Sequence, residues 1–572
     1  MTFFNSRNPI YRSPTGAVPA GTRVHFKITV PRSMACSAAY LLVLDTDGRT
    51  VCNDMFWCGM NGDDHEWWEC HFAPQNAGLC FYHFELRTSR GHFVLKKDIG
   101  GEARAGGSED WQLTAYSADF KTPEWLAGGV LYQIFPDRFY CSGREKHDIP
   151  YGRTMHADWS EQPEWRPNAE GKITNTDFFG GDLKGIEQKL GYLKSLGVTC
   201  IYLNPIFESH SNHRYDTANY EKIDPLLGTE EDFRSLCAAA KARGIRILLD
   251  GVFSHTGSDS IYFNREGRYG DGGAYRSQQS PYYPWYSFRS WPNDYECWWN
   301  FTTLPNVREG NPDYDAYING EDGIIHRWLA AGASGWRLDV ADELPDEFIA
   351  KIRAAMNEEN PDTYLLGEVW EDASNKVSYG ALREYFLGSE LDATMHYPFR
   401  TAVLDFLLGK IHAQAACDAF WTIQEHYPKE NLYAALNLIG SHDRARVLTV
   451  LGGDVNALKM AMFLQFALPG VPSIYYGDEA GMTGGTDPYN RGSFPWGKGN
   501  APLTDFVRSL TAMYQETPLL RRGECEMLSF GENVLGCRRF DESGSVLALV
   551  NRGEEAVECF GVTVPGRGYI LE

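Results

Sequence analysis

Apolar and polar residues alternate in short runs along the first part of the chain. The runs VHFKITV, AYLLVLD, LCFYHFELR and HFVLKKD have the two-residue period of strands that bury one face, and the turn segments DTDG and PQNAG punctuate this region. This pattern predicts that residues 1–123 form an antiparallel β-sandwich.

The rhythm changes over residues 124–520, where continuous apolar runs alternate with amphipathic segments. TEEDFRSLCAAAKARG is predicted to be a helix that Gly244 ends, with apolar residues on one face: Phe233, Leu236, Cys237 and Ala240. Eight runs are predicted to be strands: GVLYQIFPDRF, VTCIYLNPIF, IRILLDGVFSH, GWRLDV, YLLGEVW, LDATMHYP, ALNLIGSHD and VPSIYYGDEAG. Eight strands with helical crossovers predict an α/β fold, a (β/α)8 TIM barrel.

Two further regions differ from the barrel pattern. Residues 256–313 are irregular and rich in Tyr and Trp, which predicts an enlarged loop after the third strand, here called domain B. From residue 521 to residue 572 short strands return in VLGCRRF, VLALVNRG and CFGVTV. This last region is predicted to be a small C-terminal β-domain.

Composition narrows the class of protein. The 572 residues are 43% hydrophobic, so several globular domains are expected. The net charge of -23 argues against nucleic acid or an anionic membrane as a partner, and no apolar run reaches the length of a membrane span. The start MTFFNSRNPIYRSP lacks a signal-peptide pattern, and the 13 scattered cysteines form no CxxC pair. A cytoplasmic location is therefore predicted.

Polar side chains cluster where the predicted strands end, which is where TIM barrels carry their reactive groups. The second to fifth strands and the seventh strand contribute His213, Tyr215, Asp250, His255, Arg337, Asp339, Glu368, His442 and Asp443. Converging carboxylates indicate either a divalent-metal site or acetal hydrolysis by a carboxylate pair. Arg337 among them disfavours a bound cation.

Acetal hydrolysis needs one ionised and one protonated carboxyl group. Arg337 and Asp339 are two apart in a strand and share a face, so Arg337 is expected to lower the pKa of Asp339 and make it a nucleophile. Glu368, between apolar neighbours, is expected to be desolvated and to act as the acid. Retention of configuration predicts carboxyl groups about 5–5.5 Å apart.

The motifs DGVFSH, GWRLDVADE, GEVW and GSHD, with YLNPIF before NHRYDT, run in one order along the chain. Together they closely resemble the α-amylase family, glycoside hydrolase family 13. The resemblance implies that Asp339 is the nucleophile, Glu368 the general acid/base and Asp443 a third carboxylate that binds sugar hydroxyls. It also implies these substrate-binding residues: His213, Tyr215, Asp250, His255, Arg337, Glu343, Trp370, His442, Asp487 and Arg491.

Within that family the chain is similar to the neopullulanase, cyclomaltodextrinase and maltogenic amylase group, through NSRNPIYRSPTGAVPAG and SNHRYDTANYEKIDPLLG. This implies hydrolysis of α-1,4-glucosidic bonds in maltooligosaccharides, cyclodextrins and pullulan, with transglycosylation, and a homodimer contact through the N-terminal domain. The alternatives are an exo-acting α-glucosidase or transglucosylase and, in another class, a non-catalytic glucan-binding protein on the same barrel.

Two departures from the group's pattern affect these expectations. VADE stands where the group usually has VANE. Asp342 therefore leaves open which sugars are preferred on the leaving-group side of the cleaved bond. No cofactor is expected. YCSGREKHDIP follows PDRF where related chains often have a calcium loop, and only Asp148 and Asp182 remain as candidate ligands of a structural calcium.

Overall fold

The computed structural model describes residues 2–146 and 152–572. Its centre is a parallel barrel of eight short strands, all buried except for Arg246 at the start of the third strand. They are β1 (Leu131–Ile134), β2 (Cys200–Leu203), β3 (Arg246–Gly251), β4 (Gly335–Leu338), β5 (Tyr364–Gly367), β6 (Ala393–Thr394), β7 (Leu436–Leu438) and β8 (Val471–Tyr475). Neighbours pair in the order β6-β5-β4-β3-β2-β1-β8-β7, and a parallel bridge between Met395 and Leu436 joins the two edges. The predicted TIM barrel is confirmed.

Helices surround this barrel and cover its outer face. The predicted helix is confirmed as Glu230–Lys241; Thr229 caps it together with Asp232, and its four predicted apolar residues are buried. The other helices are Pro136–Phe139, Leu183–Gln188, Leu190–Ser195, Pro312–Asn319, Ile324–Ala330, Asp346–Glu359, Tyr397–Leu407, Ala413–His426, Lys429–Ala434, Val447–Val450, Val455–Ala467, Ala501–Glu516 and Pro518–Arg522.

Close strand packing explains one glycine of the GWRLDVADE motif. Gly335 opens β4, and a Cβ there would lie 2.1 Å from the carbonyl oxygen of Tyr364 on β5. A side chain at this position would push the two strands apart. The glycine therefore sets the spacing of the two strands that carry Asp339 and Glu368.

The N-terminal region is a mostly antiparallel sheet structure with its own aromatic core. Phe4, Phe26, Tyr82, Phe84 and Trp111 pack together there. Its strands are Arg12–Ser13, Val18–Pro19, Val24–Pro31, Cys36–Leu44, Thr50–Asn61, His65–Phe72, Gly78–Thr88, Gly91–Lys97, Ala103–Ala105 and Trp111–Tyr116. The predicted N-terminal sandwich is confirmed as a fold.

The chain between β3 and helix Pro312–Asn319 is largely irregular and has a buried aromatic centre. Tyr262, Phe263, Trp285, Tyr286 and Tyr295 are buried there. The regular pieces are the strands Phe288–Ser290 and Asp294–Tyr295 and the 3-10 turns Tyr283–Trp285 and Trp298–Asn300. These five aromatic residues of domain B thus form a small core.

The C-terminal region is a small antiparallel structure, as predicted. Tyr569 stacks on Phe463 of helix Val455–Ala467, with ring centroids 4.7 Å apart, so this region packs against the barrel. Its strands are Glu524–Phe530, Val534–Asp541, Gly544–Asn551, Val557–Cys559, Val562–Val564 and Gly568–Leu571. All 13 cysteines are free thiols. Across the described ranges, no helix combines the length and the apolar character that crossing a membrane requires.

Glu390, just before β6, gives a stability prediction. It is 2% exposed, its Oε2 has no hydrogen-bond partner within the described residues, and burial raises its pKa to about 9. A carboxyl group whose pKa is raised on folding favours the folded state below its unfolded pKa, and this contribution is lost as the pH rises through its folded pKa. We expect Glu390→Gln to raise the free energy of unfolding by about 1–3 kcal/mol more at pH 8 than at pH 5.

Urea unfolding at both pH values measures this difference. Glu542→Gln, at an exposed carboxylate in the turn between strands Val534–Asp541 and Gly544–Asn551, is the matched control and should show the same change with pH as the wild type. An equal effect of Glu390→Gln at pH 5 and pH 8 would contradict the prediction.

Candidate active site

Four carboxyl groups meet at the carboxyl ends of the barrel strands. Asp250 lies near the end of β3, Asp339 follows β4 directly, and Glu368 follows β5 directly. Asp443 lies in the segment after β7. Strands β3 and β4 pair so that Asp250 stands opposite Arg337, which brings a cation into the middle of the group.

Arg337 is fully buried and contacts three of these carboxylates at once. Its Nη1 donates to Oδ1 of Asp250 and to Oδ1 of Asp339, each at 2.8 Å. Its Nη2 lies 2.8 Å from Oε2 of Glu368. One guanidinium therefore fixes Asp339 and Glu368 relative to each other, as a rigid fork is suited to do.

The electrostatics differ from the expectation for Asp339. Burial raises the pKa of Asp339 well above its ordinary range, more than Arg337 lowers it, and the neighbouring Glu368 and Asp250 carboxylates raise it further. Our expectation of a lowered pKa was wrong because the Asp339 carboxyl group is removed from water and because one guanidinium serves three carboxylates rather than one. Proton binding at Asp339 therefore depends on the charge of its carboxylate neighbours, while Arg337 stays protonated.

Two hydrogen-bond donors hold Glu368 in addition to its ion pair with Arg337. The backbone N–H of Val340 donates to its Oε2 at 2.9 Å, and Nε1 of Trp370 donates to its Oε1 at 3.0 Å. Val340 has a φ of 40°, a left-handed conformation that is rare for a β-branched residue and is typical of functional sites. This strained turn directs the N–H next to Asp339 onto Glu368.

Tyr215, in the segment after β2, contacts Asp250 of β3 and His442 of the segment after β7. Its hydroxyl lies 2.8 Å from Oδ2 of Asp250 and 2.6 Å from Nε2 of His442, and its ring stacks on His442 at 5.3 Å. Three residues that no sequence motif marked complete this network: Gln133, Asn204 and Tyr202. All three lie on or just after β1 and β2. Polar residues at inward-facing positions of those strands were therefore the signal that could have identified them.

The three histidines of the site favour the neutral form; His255 and His442 are buried and His213 is partly buried. Burial lowers the pKa of His213 and of His255 to about 4 and lowers that of His442 well below its ordinary range. A neutral imidazole can donate and accept hydrogen bonds at the same time. These side chains are therefore suited to bind hydroxyl groups of an uncharged ligand.

Asp443 and the loop after β8 form the other wall. Oδ1 of Asp443 lies 3.2 Å from Nε2 of His442 and 3.6 Å from Nη2 of Arg491, which in turn lies 3.4 Å from Asp487. Burial, together with the nearby Glu368 carboxylate, raises the pKa of Asp443 to about 7. The structure thus places Asp443, Asp487 and Arg491 side by side.

Trp370 is held by a stack that the sequence did not reveal. Its ring lies parallel to that of Tyr397, 4.4 Å away, and the guanidinium of Arg444 lies 3.9 Å from the Trp370 ring centre. Cation–π and stacking contacts of this kind fix an aromatic plane. Arg444 and Tyr397 therefore orient the indole that donates to Glu368.

Glu343 connects two exposed aromatic side chains near the mouth. Nε1 of Trp299 is 3.4 Å from its Oε1, and the Tyr379 hydroxyl donates to its Oε2 at 2.6 Å. Trp299 is 73% exposed and Tyr379 79% exposed. Trp298, next in sequence to Trp299, packs 5.9 Å from His255. A row of aromatic rings thus leads outward from the histidines.

The surroundings of Asp182 do not fit a calcium site. Its Oδ1 accepts the N–H of Gly185 and caps helix Leu183–Gln188, while its Oδ2 binds the ammonium of Lys146 at 2.6 Å. Within the described ranges, no group of three or more His, Cys, Asp or Glu side chains could hold a metal ion. Asp148, the other candidate ligand, lies outside the described residues.

Comparison with known proteins agrees with this geometry. Residues 133–512 match the model of the α-amylase catalytic domain. A cyclomaltodextrinase of Geobacillus thermopakistaniensis is 36% identical, with 87% of this chain and 85% of that protein covered. The structure of a cyclic α-maltosyl-(1→6)-maltose hydrolase of Arthrobacter globiformis in complex with that sugar is 31% identical, with a TM-score of 0.70, over 79% of this chain and 99% of that one.

A larger relative also aligns along nearly the whole chain. An amylopullulanase of Thermoanaerobacter thermohydrosulfuricus is 37% identical over 96% of this chain but only 42% of its own length. The chain spans less than half the length of the three amylopullulanases it matches. The matched domain covers well over half of the present chain. The chain therefore belongs to the α-amylase family of glycoside hydrolases.

Proposed function

We propose that the protein is a retaining α-glucan hydrolase that cleaves α-1,4-glucosidic bonds of maltooligosaccharides, cyclodextrins and pullulan and also transfers glycosyl groups. One observation carries the proposal: Asp339 and Glu368 bind the two terminal nitrogens of the same guanidinium. This favours the close carboxyl pair of retaining glycosidases, about 5–5.5 Å, over the wider pair of inverting ones, about 6.5–9.5 Å.

The first step would form a covalent intermediate. Ionised Asp339 attacks the anomeric carbon while Glu368 donates its proton to the departing glycosidic oxygen, so one C–O bond forms as another breaks. With Glu368 protonated as the acid, one negative charge beside Asp339 is removed, which favours the ionised form of Asp339. Arg337 then stabilises the Asp339 carboxylate.

The second step would release the sugar with its original configuration. Glu368, now ionised, takes a proton from water or from a sugar hydroxyl, and the resulting nucleophile attacks the anomeric carbon from the α face. Asp443 and Arg491 line the pocket where the hydroxyl groups of the reacting sugar would bind. Attack by a sugar hydroxyl gives transglycosylation.

The proposed substrates rest on the relatives and on the shape of the mouth. The names of the relatives point to cyclic maltodextrins, pullulan and a cyclic maltosyl sugar. Trp299 and Tyr379 offer exposed rings on the side of Glu343, where a sugar beyond the cleaved bond can stack. Short or cyclic substrates would use such a restricted platform better than long starch chains.

Product analysis tests the substrate range. The protein is incubated with γ-cyclodextrin, pullulan and soluble starch, and the products are separated by thin-layer chromatography. We expect panose from pullulan and faster cleavage of the cyclodextrin than of starch. Release of glucose one unit at a time would instead favour the exo-acting α-glucosidase or transglucosylase.

A non-catalytic glucan-binding protein is the alternative of another class. The intact set of Asp339, Glu368 and Asp443 at one mouth argues against it, because unused acidic groups crowded in a buried site would only destabilise the fold. This alternative would be favoured if calorimetry showed that the protein binds a maltooligosaccharide while γ-cyclodextrin, pullulan and soluble starch all remain uncleaved.

We also propose a cytoplasmic location and a homodimer contact through the N-terminal domain. Phe56, Trp57 and Met60 on strand Thr50–Asn61 are 70%, 54% and 44% exposed, an apolar surface of the kind that partners cover. Sedimentation equilibrium at micromolar concentration should then give a dimer, and Trp57→Lys should weaken it. A monomer at all concentrations would rule out the dimer.

A further inference from the structure

The loop after β5, residues 371–388, is fastened to the N-terminal domain of the same chain. Gln112, buried on strand Trp111–Tyr116, donates from its Nε2 to the hydroxyl of Ser374 at 2.9 Å. Its Oε1 accepts from Nδ2 of Asn375 at 2.8 Å. At the far end of the loop, the N–H of Ser117 donates to the carbonyl of Leu387 at 2.9 Å. This strand and the residue directly after it thus hold both ends of the loop.

A buried polar network supports this attachment. The hydroxyl of Ser374 donates in turn to Asp372, whose other oxygen lies 2.6 Å from Nδ1 of His426. Thr114 connects the two domains: its hydroxyl accepts a hydrogen bond from Gln112 of the N-terminal domain and donates one to the carbonyl of His426 of the barrel domain at 2.7 Å. Fully satisfied buried networks of this kind fix one arrangement of the groups they join.

The loop 371–388 also binds the segment that follows Asp339, the proposed nucleophile. Lys376 Nζ lies 3.0 Å from Asp342, the Tyr385 hydroxyl donates to Asp342 at 2.8 Å, and the Ser378 hydroxyl donates to the Asp342 carbonyl at 2.8 Å. Tyr379 at the loop tip binds Glu343. Asp342 and Glu343 belong to the turn that begins at Val340, whose N–H is bonded to Glu368.

We propose that Gln112 is a positioning residue: from the N-terminal domain it holds the loop 371–388, and through that loop it fixes the turn at Val340–Glu343 and the leaving-group side of the active site. This inference rests on the proposed glycosidase function. The loop carries no strand longer than two residues, so it has little structure of its own to keep it in place. Small displacements of positioned groups are costly in catalysis.

Hydrogen exchange tests the attachment without using activity. Gln112→Leu keeps a similar side-chain volume and removes both contacts to the loop. We expect amide exchange of peptides within residues 371–388 to become at least about tenfold faster, while peptides from β1 and β8 exchange as in the wild type. Ser374→Ala, which leaves the N-terminal sheet intact, should give a similar change if Gln112→Leu folds poorly.

Kinetics test the positioning role. On maltohexaose we expect kcat/KM of Gln112→Leu to fall about tenfold, whereas on α-maltosyl fluoride it should change by less than about twofold. Fluoride needs no proton from Glu368 and occupies no sugar site beyond the cleaved bond. A variant that was merely less stable would lose both activities equally.

Arg7→Met is the matched control, because Arg7 also joins the N-terminal domain to the barrel, through Asp418 and Glu425 of helix Ala413–His426. It should lower thermal stability without changing loop exchange or the ratio of the two activities. Unchanged exchange in both Gln112→Leu and Ser374→Ala, or equal effects of Arg7→Met and Gln112→Leu, would overturn the inference. Absence of any glucan cleavage by the wild type would refute the proposed function instead, and the exchange experiment would still decide the attachment.

Discussion

Asp339→Asn is expected to lower kcat on maltohexaose by about 10⁴-fold or more while leaving sugar binding largely intact. The amide keeps the shape of the carboxylate, yet it cannot form the covalent bond to the anomeric carbon. Arg337 retains Asp250 and Glu368 as partners, so the site should keep its architecture. Steady-state kinetics and calorimetric titration with maltohexaose measure the two effects.

A smaller variant gives a stereochemical readout for the same residue. In Asp339→Gly, azide can enter the space of the lost carboxylate and displace fluoride from α-maltosyl fluoride directly. The product should be β-maltosyl azide, because a single displacement inverts the configuration. Nuclear magnetic resonance of the product distinguishes the two anomers.

The matched control for both variants is Glu347→Gln, on the exposed start of helix Asp346–Glu359. It should behave like the wild type in every assay. Turnover of Asp339→Asn within tenfold of the wild type would show that another group is the nucleophile.

Glu368→Ala is expected to lower kcat/KM on maltohexaose by about 10²–10⁴-fold, because the leaving oxygen then departs without a proton. With α-maltosyl fluoride the first step needs no acid, so the covalent intermediate should accumulate. Azide should restore turnover by attacking that intermediate, and the product should be α-maltosyl azide, the anomer opposite to that from Asp339→Gly.

The opposite products of the two variants separate the roles of two carboxyl groups that share one guanidinium. Loss of the Glu368 carboxylate also removes the partner of the Val340 N–H and of the Trp370 indole. Glu368→Gln keeps the shape of the side chain and one of these two contacts, through its amide oxygen, so a similar loss of activity in both variants would assign the effect to proton transfer. Formation of β-maltosyl azide by Glu368→Ala would exchange the two proposed roles.

Much of the architecture followed from local patterns. The eight barrel strands were predicted because each is a short, mostly apolar run bounded by helical or polar segments, and strands buried on both faces are mainly apolar. The helix Glu230–Lys241 was predicted because its apolar residues recur on one face. These signals depend only on neighbours along the chain.

The site was predictable to a lesser degree. Motifs identified the carboxyl groups at the strand ends, and their convergence followed from the parallel order of the strands. The charge balance did not follow: sequence spacing shows that Arg337 neighbours Asp339 but not that it also serves Asp250 and Glu368. The raised pKa of Asp339 depends on those contacts and on burial. Arg444 and Gln112 were missed for the same reason, since their partners Trp370 and Ser374 are distant in sequence.

The sequence by itself determined the family, the barrel and the residues that gather at its mouth, because period, motif and strand order are local properties of the chain. Only the tertiary structure decided how the charges are shared, which rings orient Trp370, and that a strand of the N-terminal domain holds the loop beside Glu368. Those properties depend on distances between side chains remote in sequence and on the exclusion of water around them, which no linear pattern specifies.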